Sequence, residues 1–179
     1  MKVKVTPSKV HGNVKIPASK SMAHRALICA SLSDGTSIVS NVTNSKDIEA
    51  TVGCMKALGA KIKQIDETTY EVTGTNLFKQ EGNITCSANE SGSTLRFLIP
   101  LAACTNAKVK FLGQGRLLQR PMDVYANEFK KQNIEFKISN NNKFHFAAIE
   151  KSVNKLIETI LKAQPLLKIS AIGQLARKC

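Results

Sequence analysis

Apolar residues recur at helical spacing in four stretches, with short runs of β-type residues between them. Residues 20–32 carry Met22, Leu27, Ala30 and Leu32 at helix-compatible spacing. A second helix starts at Ser45 or Asp47, places Ile48, Val52, Met55 and Leu58 on one face, and ends with Gly59 just past its last turn. Residues 91–104 and 122–132 form the third and fourth helices. Strands are expected at 2–5, 14–16, 37–42, 83–87 and 108–112. Two hairpins are expected: 61–65 with 70–72 across Asp66-Glu67-Thr68, and 134–138 with 144–146 across Asn140-Asn141-Asn142. Residues 6–13 read as a connector and Asp34-Gly35 as a turn.

The resulting order, βαβαββ, occurs twice. Arg25-Ala26-Leu27-Ile28 echoes Arg96-Phe97-Leu98-Ile99, and Lys61-Ile62-Lys63 echoes Glu135-Phe136-Lys137. A period of about 70 residues indicates one supersecondary unit used twice, each copy covering the other's apolar face. The expected class is α/β, with an N-terminal strand and connector (1–13), two repeats (14–147) and a divergent tail (148–179). In the tail, residues 149–161 read as a basic amphipathic helix and 162–179 as irregular.

Each repeat opens with a strand-to-helix turn rich in small polar residues. In the first, Pro17 ends the strand, since it has no N–H for a ladder. Ser19 or Ser21 then caps the helix, which gathers free N–H groups, a positive dipole end, a hydroxyl and the Lys20 ammonium. Arg25 lies one turn on and can reach the same face. The second turn carries Glu90-Ser91-Gly92-Ser93-Thr94, with Arg96 in the place of Arg25. Gly92 lets a ligand approach the backbone. The loop at 113–122 adds Arg116 and Arg120, whose guanidinium forks suit carboxylate or phosphate, and places Pro121 at the start of the next helix. Either turn alone reads equally well as a capped helix with surface cations; the repeat places two side by side.

A formal charge of +13, from 26 basic and 13 acidic residues, favours anionic partners. The basic residues are not clustered and Trp is absent, which argues against a nucleic-acid stripe with stacking aromatics and for small anions. Residues 1–5 lack the apolar core of a signal peptide, and no run is long enough to cross a bilayer. The five cysteines are widely spaced with no CxxC pair. They read as reduced thiols of a cytoplasmic protein, without a disulfide framework or metal site.

Three stretches taken together, Pro17-Ala-Ser-Lys-Ser-Met-Ala-His-Arg25, Glu90-Ser-Gly-Ser-Thr-Leu-Arg96 and Arg116-Leu-Leu-Gln-Arg-Pro121, resemble the 3-phosphoshikimate 1-carboxyvinyltransferase (EPSP synthase) family over roughly residues 3–146. That resemblance implies two domains of three βαβαββ units each, of which this chain carries about two units, with substrates bound in the cleft between domains. It implies that Lys20, Ser21 and Arg25 bind shikimate 3-phosphate, and that Lys20, Gly92 and Arg120 bind phosphoenolpyruvate, with Glu90, Ser93 and Arg96 in support. The implied reaction adds the 5-hydroxyl of shikimate 3-phosphate to C2 of phosphoenolpyruvate, protonates C3 and expels phosphate, with no cofactor. Cations on the leaving phosphate stabilise the charge it develops, and an acid and a base handle the protons.

Glu90 stands where the family often has Asn, and Ser93 where it often has Thr. After about Ala147 the likeness stops, before the family's Ser-Ser-Gln stretch and its Asp and Glu acid/base residues. A truncated or frame-altered product, inactive alone, is therefore expected, with a complementary chain or self-association as open alternatives. Two rival functions follow from the same features: a non-catalytic anion- or nucleic-acid-binding module, and a UDP-N-acetylglucosamine enolpyruvyl transferase. Lys20-Ser21, where that sister family has Lys-Asn, and a loop without Cys at 116–121 argue against the latter.

Overall fold

The computed structural model describes residues 16–138 except 133, the backbone of 144–147, and residues 3, 4, 6, 7, 9 and 11–13. Its elements are α1 (Lys20–Leu32), β1 (Thr36–Val39), α2 (Lys46–Ala57), β2 (Lys61–Gln64), β3 (Tyr70–Thr73), β4 (Glu81–Asn89), α3 (Gly92–Ala102), β5 (Asn106–Gly113), α4 (Asp123–Lys131), β6 (Phe136–Ile138) and β7 (Phe144–Ala147). One sheet runs β1-β3-β2, the other β4-β5-β7-β6. In the second, β4 and β5 are parallel while β7 is antiparallel to both β5 and β6. The first sheet repeats the antiparallel part of that order.

When Arg25 is laid on Arg96, buried Ala23, His24, Leu27 and Ile28 fall on buried Thr94, Leu95, Leu98 and Ile99. The apolar ones among them belong to one contiguous core, to which α2 adds Ile48 and Met55 and β5 adds Phe111. Each Leu, Ile, Met or Phe side chain so withdrawn from water contributes about 1.5–3 kcal/mol. Helix α2 packs against α1, α3 and β4, and so stands between the two repeats.

Several boundaries differ from expectation. Strand β4 starts two residues early and ends two late, because parallel pairing with β5 already begins at Glu81↔Asn106. Helix α4 starts at Asp123 with Met122 as its cap, so Pro121 lies before the helix; a 3-10 turn at Gly115–Gln119 takes up the preceding loop. Met22 is 62% exposed and adds nothing to the core. Residues 3, 4 and 16 form no strand; the rest of the expected strands at 2–5 and 14–16, and the tail at 148–179, lie outside the described residues. Among the described residues Cys29, Cys54, Cys86 and Cys104 form no disulfide. Burial pushes the Cys104 thiol up to about 12, and hydrogen bonding to Cys86, with burial, raises that of Cys54, so neither serves as a ready nucleophile.

Helix α3 contains Pro100, which has no N–H to offer the carbonyl of Arg96 one turn back. Tyr125 of α4 donates its hydroxyl to that carbonyl at 2.9 Å. The helix therefore continues through proline, and α4 is keyed to α3. Tyr125→Phe should orphan the carbonyl and cost about 1–3 kcal/mol, read as a lower denaturation midpoint. An unchanged midpoint would mean that water replaces the hydroxyl freely.

Candidate functional site

Ser19 caps α1. Its hydroxyl accepts from the Met22 N–H at 3.4 Å, and its carbonyl from the Ala23 N–H at 3.0 Å. No acidic residue occupies the first turn, so the positive end of the helix is not offset from within. Lys20 and Ser21 stand there exposed. The Arg25 guanidinium turns back to the same place, donating to the carbonyl of Ser21 at 2.7 Å, and lies 5.1 Å from the ring centre of Phe97 on α3. Arg25 thus meets the backbone of Ser21, next to Lys20 in the chain.

Lys20 is already engaged: its Nζ lies 2.6 Å from Oδ2 of Asp47, in the first turn of α2. The two side chains are 53% and 32% exposed, so the pair contributes little to stability. An incoming anion would share the ammonium with this carboxylate.

The second turn is built by a β-bulge. The register of β4 shifts between Ser87 and Asn89, and Asn89 adopts φ +49, a conformation Asn tolerates better than most residues. The Ser91 N–H then closes on the carbonyl of Ala88 at 2.8 Å, and the Ser91 hydroxyl caps α3 by accepting from the Thr94 N–H at 3.2 Å. Gly92 is buried at the first position of the helix. A Cβ built on it would meet Nη1 of Arg120 at 2.6 Å, so the guanidinium lies directly against the glycine backbone. That contact joins the 113–122 loop to the second turn.

Other expected residues fall outside this contact. Ser93 and Arg116 are exposed, and Arg96 is half-buried. Glu90 is exposed and folds over Gly115: a Cβ there would lie 2.6 Å from its Oε1. Among the described residues no salt bridge includes Glu90 or Arg96.

Three groups given no role by sequence reasoning connect the turns. Thr94 Oγ1 has two acceptors for its one proton, Ser91 Oγ at 2.7 Å and the carbonyl of Asp47 at 3.2 Å. It lies 2.7 Å from Thr51 Oγ1, which lies 2.7 Å from Nδ1 of His24. His24, Thr51 and Thr94 are fully buried. A cap at Ser45 with Asp47 two residues on was visible in the sequence; contacts between helices 27 or 43 positions apart were not.

Burial holds the His24 imidazole below its usual 6.5; the Asp47 carboxylate opposes this, and Lys20 and Arg25 reinforce it. The unfolded chain takes up a proton near 6.5 while the folded chain resists it. His24 therefore makes no such demand above pH 6.5, and stability falls as the pH drops from 6.5 toward the depressed value, by at most about 1.4 kcal/mol per pH unit. Denaturant midpoints at about pH 7.5 and 5.5 should differ less in His24→Gln than in the parent. An equal difference in both would place the acid sensitivity elsewhere.

No helix among the described residues is long and apolar enough to cross a membrane. Among those residues no group of three or more His, Cys, Asp or Glu is arranged to hold a metal ion.

Residues 4–163 match the family described as EPSP synthase (3-phosphoshikimate 1-carboxyvinyltransferase). A 3-phosphoshikimate 1-carboxyvinyltransferase of Clostridium perfringens strain SM101 is 48% identical over 141 residues, covering 79% of this chain and 33% of its own. One from Clostridium kluyveri is 48% identical over 135 residues, covering 75% and 31%. One from Clostridioides difficile is 45% identical over 150 residues, covering 78% and 34%. The chain spans about a third of the length of these curated relatives. The solved EPSP synthase of Acinetobacter baumannii superposes with a TM-score of 0.67 over 85% of this chain and 37% of that one, at 16% identity, and so shares the fold. On the match over residues 4–163 and on these relatives, the chain belongs to the EPSP synthase family.

Proposed function

We propose that this chain forms the N-terminal part of an enolpyruvyl transfer site. In this reading Lys20, Ser21 and Arg25 hold shikimate 3-phosphate, and Lys20, Gly92 and Arg120 hold phosphoenolpyruvate, with Glu90, Ser93 and Arg96 around them. The observation that carries it is the Arg120 guanidinium seated on Gly92 at the start of α3. A free N-terminal amide and a planar cation at one point suit a group bearing both carboxylate and phosphate. Lys20 is tied to that point through Asp47, whose carbonyl is in reach of the Thr94 hydroxyl. Transfer would proceed by addition of the 5-hydroxyl to C2 with protonation at C3, then loss of phosphate together with a C3 proton to restore the double bond, a reaction of small cytoplasmic anions that needs no cofactor. The cations here act on the leaving phosphate. The acid and base belong to the remainder of the enzyme, so residues 1–179 alone are expected to bind anions without turning them over.

The test is a chimera in which residues 1–147 replace the matching segment of the Clostridium perfringens relative. Phosphate release that requires both substrates supports the proposal; a folded chimera that binds neither substrate refutes it. Within that chimera Glu90→Asn should tighten phosphoenolpyruvate binding, because it removes a like charge beside the ligand. Equal or weaker binding would assign Glu90 instead to ordering the loop over Gly115.

A further inference from the structure

Proton counting along the buried chain fixes its direction. The Thr94 hydroxyl has one proton and two acceptors in reach, the Asp47 carbonyl at 3.2 Å and the Ser91 hydroxyl at 2.7 Å. With that proton committed to either, Thr94 accepts from Thr51 across 2.7 Å. Thr51, having donated, accepts from His24, whose Nδ1 therefore carries the proton. Nε2 is left as a bare acceptor, buried and without a partner among the described residues. The neutral Nδ1–H tautomer is the one that completes every donor in the relay.

This relay is laid across three helices: His24 belongs to α1, Thr51 to α2 and Thr94 to α3. Both ends lie beside the polar turns. His24 adjoins Arg25, and Thr94 touches the Ser91 cap immediately before Gly92. Its branch to Asp47 ends on the residue that holds Lys20. We propose that His24, Thr51 and Thr94 are positioning residues that set the start of α3 against the start of α1, and so govern affinity for the anion bridging the two turns rather than for the one held on α1 alone. The inference rests on the assignment of phosphoenolpyruvate to Lys20, Gly92 and Arg120 and of shikimate 3-phosphate to the α1 turn. Apolar packing fixes α1 and α3 to within the tolerance of a core; the two 2.7 Å hydrogen bonds of Thr51 hold the residual freedom, and small misplacements of a charged contact weaken it disproportionately.

The experiment compares Thr51→Val with Thr51→Ser in the chimera, measuring KM for each substrate, kcat and the denaturation midpoint. Val keeps the shape and removes the hydroxyl; Ser keeps the hydroxyl and loses a methyl from the core. Thr51→Val is expected to raise KM for phosphoenolpyruvate about tenfold, with kcat and the KM for shikimate 3-phosphate changing less than threefold. Thr51→Ser is expected to restore the parental KM even where its midpoint is lower. Equal KM values in the two variants, or equal changes for both substrates, would overturn the inference. If Thr51→Val does not fold, His24→Gln against His24→Leu asks the same question, since Gln can still donate to Thr51. Loss of substrate binding by the parent chimera is a different failure: it removes the functional assignment itself, and the inference with it.

Discussion

Replacing Lys20 by Met should reduce turnover of the chimera by two orders of magnitude or more while leaving its stability almost unchanged. The stability half follows from exposure. The Lys20–Asp47 pair is 53% and 32% exposed, and such pairs contribute at most about 1 kcal/mol, a few degrees of melting temperature. The catalytic half follows from position. Lys20 is the one cation assigned to both ligands, and charged hydrogen bonds are worth about 1.5–3 kcal/mol each, more where charge develops in the transition state. The loss is compounded because Asp47 keeps its charge. Without the ammonium its carboxylate faces the incoming anion unpaired. Lys20→Met with Asp47→Asn should therefore recover part of the lost affinity. Near-parental turnover in Lys20→Met would remove this residue from the site.

Gly92→Ala should weaken phosphoenolpyruvate binding by roughly ten- to a hundredfold, the worth of one charged contact. A Cβ at this position meets Arg120 Nη1 at 2.6 Å and its Cζ at 3.2 Å. What must give is the far end of a flexible, exposed side chain, so the fold yields easily while the guanidinium leaves its seat. Gly92 lies at the first position of α3 and its φ is not positive, so Ala fits the backbone and raises helix propensity. The melting temperature should hold or rise as affinity falls. Calorimetric titration beside thermal melts checks both; a stable variant with unchanged affinity would separate Arg120 from the ligand.

The two turns were legible in the sequence because their signals are local. Ser19, the apolar positions of α1 and the capped start of α3 lie within a few residues of one another, and the repeat order followed from alternating periodicities. What stayed hidden is tertiary. Met22 satisfies a helical spacing, yet it lies off the buried face of α1 and is exposed. The early start of β4 at Glu81-Gly82 has no side-chain pattern to announce it; parallel backbone pairing with Asn106 and Ala107 decides it. Pro121 has the residue type of a helix start, but the 3-10 turn before it shifts the start to Asp123. His24 sits inside the first motif, and still its role could not be read there, because its partner Thr51 lies on another helix. The Lys20–Asp47 pair was invisible for the same reason, although it changes the charge an anion meets.

The central claim is that the starts of α1 and α3, with Arg120, form one anion site. Amide shift titration of the isotope-labelled 179-residue chain with phosphoenolpyruvate tests it most directly. The expected result is a single weak isotherm, in the millimolar range (about 4 kcal/mol), shared by the amides of Lys20, Ser21, Gly92 and Ser93 and by the Arg120 side chain. Separate isotherms for the two turns, or shifts scattered over the basic surface without the Gly92 amide, would contradict it.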